Sequence, residues 1–164
     1  MESVAAMFLC LPFRYGGFGI DHPLMNAHVD MTGKTAALST VNSYECDMLW
    51  PDASLVIEYD SELEHATKQR IAKDSRKRIE LLAQNLAVIT LTKHQIYHAP
   101  SMEIVAREVA RLTGKRIRKG TFELTDERIA LRKTILWDRI DQLKREQIEA
   151  GRIERELEKS RRQA

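Results

Sequence analysis

Cysteine is scarce: Cys10 and Cys46 are the only two in 164 residues. That is too few for a disulfide framework, and without a Cys-x-x-Cys pair the spacing of a structural zinc site is missing too. A reduced, cytoplasmic setting is the default expectation. No apolar run approaches the roughly 18 residues of a membrane span. The apolar stretch from Ser3 to Phe13 is short and has no basic leader, unlike a secretory signal. Neither sign of charge dominates, since 26 Lys and Arg face 24 Asp and Glu for a formal +2. With 43% hydrophobic residues, that balance argues against a wholly disordered chain and is enough to build one core. There is no internal repeat, no low-complexity tract, and no helix-turn-helix or zinc-finger spacing to support sequence-specific DNA reading. Gly16-Gly17-Phe18-Gly19 lacks the strand and the Lys-Ser or Lys-Thr of a phosphate loop, which leaves a structural turn. Gly33-Lys34-Thr35 lacks the upstream glycine of a nucleotide loop, and no Ser/His/Asp nucleophile is marked.

The near-neutral total hides segregation. Residues 1–64 hold 2 basic and 10 acidic side chains (net −8), residues 65–120 hold 13 and 4 (net +9), and residues 121–164 hold 11 and 10 (net +1). An acidic segment followed by a basic one suits a carboxylate cluster that holds a cation beside a surface that holds a polyanion. Chance segregation in short windows is the alternative.

Local patterns predict an α/β chain in three parts: a helix and loop segment over 1–43 packed on the core, a core over 44–120, and a helical extension over 121–164. A short helix and a turn-rich loop cover residues 3–20, and Leu24, Ala27, Val29 and Met31 mark a weak helix. Two strands, Tyr44 to Trp50 and Ser54 to Tyr59, flank Pro51-Asp52-Ala53, and Pro51 suits a turn because it cannot donate to a ladder. Ser61 and Glu64 have capping-box spacing ahead of a helix to about Asn85, with Ile71, Ile79, Leu82 and Leu86 as its apolar stripe. Leu86 to Thr92 is rich in aliphatic and β-branched residues and reads as a buried strand, and a helix from Ser101 ends at Gly114. In the tail, Ile129, Leu136, Leu143, Ala150 and Leu157 recur every seven residues, but the companion positions Lys133, Ile140, Gln147 and Glu154 hold one apolar residue. A long exposed helix results, through which a homodimer or a partner protein could be held.

The stretch from Glu45 to Asp60 carries the most chemistry. A turn between Asp52 and Ala53 opposes residues whose numbers sum to 105, so Asp47 faces Glu58 and Glu45 faces Asp60. Alternation then puts four carboxylates on one face, with Leu49 and Val56, and Cys46, Met48, Trp50, Leu55, Ile57 and Tyr59 on the other. Opposed like charges destabilise a sheet. A bound divalent cation gives such a cluster a reason to exist, because Mg²⁺ takes oxygen ligands. A solvated strand face is the alternative.

The sequence CDMLWPDASLVIEYDS, followed by His65, IAKDSRKRIELL and LAVITLT, resembles the PD-(D/E)xK nuclease superfamily over residues 44–92. Within it the chain is most similar to small domains like the very-short-patch mismatch-repair endonucleases. Such domains also occur attached to abortive-infection antitoxin-like regulators. The resemblance implies a restriction-endonuclease-like mixed sheet flanked by helices, and Mg²⁺- or Mn²⁺-dependent hydrolysis of DNA phosphodiesters. It further implies that Asp47 and Glu58 bind the metal with the carbonyl of Tyr59. Pro51-Asp52 spells the superfamily's "PD" literally, but the hairpin arithmetic puts Asp52 in the turn, so Asp47 is preferred. Asp60 stands where many nucleases carry Lys. In the mismatch-endonuclease branch that Lys is also absent and histidines take part, and His65 matches one of them as a proton-transfer group. Lys68 and Lys73 are candidates for the missing lysine.

Arg70, Lys73, Arg76, Lys77 and Arg78 on the following helix, and Lys115, Arg116, Arg118 and Lys119 after Gly114, are the candidate phosphate contacts to DNA. A solvated helix face is the bland reading of the first group, and Asp74 can pair with Arg70 and Arg78 four residues away on either side. The two functional expectations are an endonuclease or nicking enzyme, and a weak or inactive nuclease-like module binding nucleic acid or protein in a defence or toxin–antitoxin regulator.

Overall fold

The computed structural model describes residues 1–60, 68–116 and 125–136. In chain order the elements are α1 (Glu2–Cys10), β1 (Leu24–Asp30), α2 (Gly33–Leu38), β2 (Ser43–Trp50), β3 (Leu55–Asp60), α3 (Lys68–Ala83), β4 (Ala87–Thr92), α4 (Lys93–Tyr97) and α5 (Ala99–Leu112). Residues 126–136 form a further helix, α6. Four strands make one mixed sheet in the order β1-β2-β3-β4, antiparallel from β1 to β3 and parallel between β3 and β4. A parallel pair needs a crossover, and α3 supplies it. Among the described residues no helix is long and apolar enough to cross a membrane.

The hairpin arithmetic holds near the turn, where Met48, Leu49 and Trp50 pair with Ile57, Val56 and Leu55. Residues 24–30, expected to be helical, instead form β1, antiparallel to β2. Their apolar residues alternate weakly because β1 is an edge strand with a mostly exposed face, and such a strand carries little period-2 signal.

Both faces of the sheet are covered by helices. On one, Met48, Trp50, Leu55, Ile57 and Leu91 pack with Phe8 and Leu9 of α1, Met102, Val105 and Val109 of α5, and Leu136 of α6. On the other, Cys46, Leu49 and Val56 pack with Met31 and with Leu81 of α3. Cys46 is thus buried as expected, but on the face opposite the expected one.

Three of the four residues of the expected apolar stripe face away from the sheet, while Leu86, just past the end of α3, packs against the core. Ile71, Ile79 and Leu82 are 57, 63 and 52% exposed, and Leu81 is the residue buried on the sheet. Helical spacing puts Lys77 one turn before Leu81 and so on the inward face. Polar ties complete the seat: Glu80 accepts from Ser39 (2.5 Å) and Tyr44 (3.0 Å), and Gln84 bonds Thr32. Tyr44 is consequently held above its usual pKa, by burial and then by the Glu80 carboxylate.

The glycine turn after α1 is structural. Gly16 has φ +85°, and a Cβ on it would strike the backbone of Glu127 and Arg128, while one on Gly17 would strike Leu11. We expect Gly16→Ala and Gly17→Ala each to cost about 2 kcal/mol or more of stability through overpacking. Gly33→Ala, where φ is +54° but the space is open, should cost only about 1 kcal/mol. Urea denaturation midpoints measure the difference, and equal losses at all three positions would contradict the close approach of α6.

Candidate active site

The site lies where β2 and β3 part. Asp47 is paired with neither neighbouring strand: the β2–β3 register runs from Met48 to Trp50, and the β1–β2 register skips the facing positions Asn26 and Asp47. Asn26 takes a left-handed conformation (φ 49°), which an asparagine tolerates better than most side chains. The kink breaks the alternation of faces, which is why Cys46 and Met48, two residues apart, enter different clusters. Beyond the end of the β2–β3 register, the Tyr59 amide donates to Asp47 Oδ2 at 2.6 Å. The Asp47 side chain is thereby fixed against β3 next to Glu58.

Glu58 is half-buried and sits under α3. Its Oε2 accepts from Lys77 Nζ at 2.5 Å, and the same ammonium donates to the Glu45 carbonyl at 2.6 Å. Both side chains of the ion pair are 21% exposed. Glu58 Oε1 is buried without a conventional donor, and the neighbouring Cys46 thiol is only a weak one. Burial holds the Glu58 carboxyl above its ordinary pKa, the Lys77 charge pulls it back in part, and the negative charge of Asp47 pushes it up again. Burial, then the Glu58 carboxylate, pushes the Cys46 thiol to about 12, so it stays protonated.

The predicted residues fall into separate groups. Asp47, Glu58 and the backbone of Tyr59 come together. Asp60 ends β3, paired with Thr92 across the parallel ladder. Glu45 is exposed and meets the site through its carbonyl rather than its carboxylate. Among the described residues, no three His, Cys, Asp or Glu side chains are arranged to hold a metal ion. His65, Arg118 and Lys119 lie outside the described residues.

The basic helix divides. Arg70, Lys73, Arg76 and Arg78 are exposed, whereas Lys77, expected among the phosphate contacts, points inward to Glu58. Arg70 pairs with Asp74 (3.9 Å), Arg76 reaches Thr40 (3.3 Å), and Arg78 donates to Thr90 (2.5 Å) instead of meeting Asp74. Lys115 donates to the exposed Asp21 at 2.8 Å, and Arg116 is exposed. Lys77 was named from the sequence as a phosphate contact, and its place on Glu58 is what sequence reasoning missed. Its signal was the four-residue step to Leu81, obscured because the more hydrophobic Ile71, Ile79 and Leu82 mark the opposite face.

No protein-family model, curated protein or solved structure matches the chain.

Removing Lys77 leaves Glu58 buried without its cation, so the Glu58 pKa in the folded state rises further. Lys77→Met should then cost about 1–3 kcal/mol at neutral pH. The loss should shrink as the pH falls through that raised pKa, because the protonated carboxyl no longer needs the ammonium. Thermal melts at stepped pH values check this, and Glu58→Gln combined with Lys77→Met should recover part of the loss. A pH-independent penalty would mean that the lysine acts through packing alone.

Proposed function

We propose that this chain is a metal-dependent DNA endonuclease or nicking domain of the PD-(D/E)xK type, with a restriction-endonuclease-like sheet. The observation that carries the reading is the convergence of Asp47 and Glu58 where β2 and β3 separate, with the Lys77 ammonium on Glu58. Two carboxylates from adjacent strands and a lysine are the groups the resemblance expects, and here the lysine comes from α3 instead of position 60.

The donor set suits a hard cation. Asp47, Glu58 and the carbonyl of Tyr59 would offer oxygens, and the buried, underbonded Oε1 of Glu58 is the oxygen that most needs a positive partner. Bound Mg²⁺ or Mn²⁺ would polarise the phosphodiester and supply a hydroxide nucleophile at neutral pH. The chain's own groups do the rest. The Tyr59 amide orients the Asp47 carboxylate. Lys77 keeps Glu58 ionised against the cost of its burial and places a positive charge beside the scissile phosphate. His65 is the proton-transfer candidate, and Asp60 a further carboxylate at the rim. Arg70, Lys73 and Arg76, exposed on α3, would hold flanking phosphates without sequence preference, with Arg78, Arg116, Arg118 and Lys119 extending the track.

A second reading is a nuclease-like module that binds nucleic acid or protein in a defence regulator and cleaves weakly or not at all. The Lys77–Glu58 ion pair favours it, since an ammonium at 2.5 Å already neutralises the carboxylate a metal would need.

A plasmid-nicking assay with Mg²⁺ or Mn²⁺ separates the two. The enzyme reading expects cleavage that falls by about a hundredfold or more in Asp47→Ala and in Glu58→Ala, comparable to the upper range for disturbing a metal site. Because the Glu58 pKa is raised, calorimetric affinity for the cation should fall with decreasing pH sooner than for an ordinary glutamate. No cleavage with any divalent metal, together with salt-sensitive DNA binding, would hand the site to the second reading. That binding should weaken with salt at a log–log slope of about −0.9 per phosphate neutralised.

A further inference from the structure

We propose that the open cavity lined by α1, the Gly16–Phe18 turn, the first turn of α5 and α6 is a binding site for a short-chain aliphatic carboxylate. It is independent of the carboxylate site: it lies on the opposite face of the sheet and shares no residue with it. Its walls are apolar, formed by Phe8, Phe18, Pro100 and Met102, and its charged lining groups are Arg128, Arg132 and Glu103.

The two arginines have different tasks. Arg128 is only 5% exposed; it donates to the carbonyls of Gly16 (3.2 Å) and Gly17 (3.3 Å) and lies 4.1 Å from the Phe18 ring centre. It clasps the turn to α6. Arg132 stacks 5.0 Å from the Phe8 ring centre, and both of its hydrogen bonds to described residues, to the Ile96 (2.8 Å) and Tyr97 (2.5 Å) carbonyls, are made by Nη2. Its Nε and Nη1 groups are left to meet a ligand. Glu103, the lining carboxylate, is engaged through Oε1 by Arg107 from one turn further along α5.

Two guanidiniums against one carboxylate, Glu103, which attracts Arg128, leave the lining with a net positive charge. Two like charges stand close enough on a low-dielectric wall that Arg132 is held below its usual pKa by burial and then by the charge of Arg128. A carboxylate in bidentate contact with Arg132 would offset that repulsion and satisfy the open donors. Size restricts the rest of the ligand. The cavity measures about 90 Å³, smaller than an engineered apolar cavity of about 150 Å³ that takes benzene. A three- or four-carbon acid fits, with its alkyl group against Phe8, Phe18 and Met102.

Isobutyrate, its neutral isostere isobutyramide, and inorganic phosphate, each at matched ionic strength, test the idea by chemical-shift perturbation and thermal shift on the full chain. Isobutyrate should bind saturably and raise the Tm. Isobutyramide should bind about tenfold or more weakly, the worth of a charge-assisted hydrogen bond. Phosphate, with no apolar group to fill the cavity, should also bind weakly. Arg132→Met should lose isobutyrate binding. Should that variant fail to fold, Ala99→Leu, which fills the cavity and leaves both guanidiniums in place, should abolish binding with the fold intact by circular dichroism. Equal binding of acid and amide, tighter binding of phosphate, or unchanged binding in Ala99→Leu would each overturn the proposal.

Discussion

Every buried strand amide needs an acceptor, and at Tyr59 the acceptor is a side chain. Where β2 kinks at Asp47, the ladder to β3 stops, and the carboxylate of Asp47 takes the amide that a backbone carbonyl would otherwise have taken. One hydrogen bond thereby keeps the two strands together while letting them diverge. Glu58 and Lys77 meet beside that divergence. Without it, β2 would continue as a regular strand, Cys46 would turn to the opposite cluster, and the two carboxylates would lie on an ordinary sheet face.

The helix α3 is held mainly by polar contacts. Leu81 is its buried apolar anchor, and around it lie Lys77 on Glu58, Glu80 on Ser39 and Tyr44, Gln84 on Thr32, and Arg78 on Thr90. Such a seat is directional. Hydrogen bonds and a half-buried ion pair set the rotation of α3 more strictly than a greasy contact would, and that rotation decides which cations face inward and which face solvent. The apolar Ile71, Ile79 and Leu82 are left outside as a consequence.

The other face of the sheet is built in the ordinary way, by large side chains from α1, α5 and α6 on Met48, Leu55 and Ile57. Its exception is Arg128, a buried guanidinium that donates to the Gly16 and Gly17 carbonyls and lies over the Phe13 and Phe18 rings of the turn after α1. Gly16 is needed there because nothing larger leaves room for α6, and Gly17 because a Cβ would strike Leu11. The same approach of α6 brings Arg132 over Phe8 and lines the cavity.

Much of this was legible in residue order. The hairpin about Pro51, with its register from Met48 to Trp50, the aliphatic strand after α3 and the αL glycine ending α5 follow from alternation, turn chemistry and β-propensity, which act over a few residues. Three things were not legible. β1 was hidden because an edge strand need not alternate. The face of Cys46 was hidden because the kink at Asp47 breaks the very alternation from which faces are read. Lys77 was hidden because hydrophobicity pointed to the wrong side of α3. By itself the sequence determined three of the four strands, the turn and the inventory of acids and bases. Only the tertiary structure decided which acid met which base, because an ion pair and a side-chain-to-amide bond depend on the rotation of a helix and the divergence of two strands, and neither has a period that residue order can record.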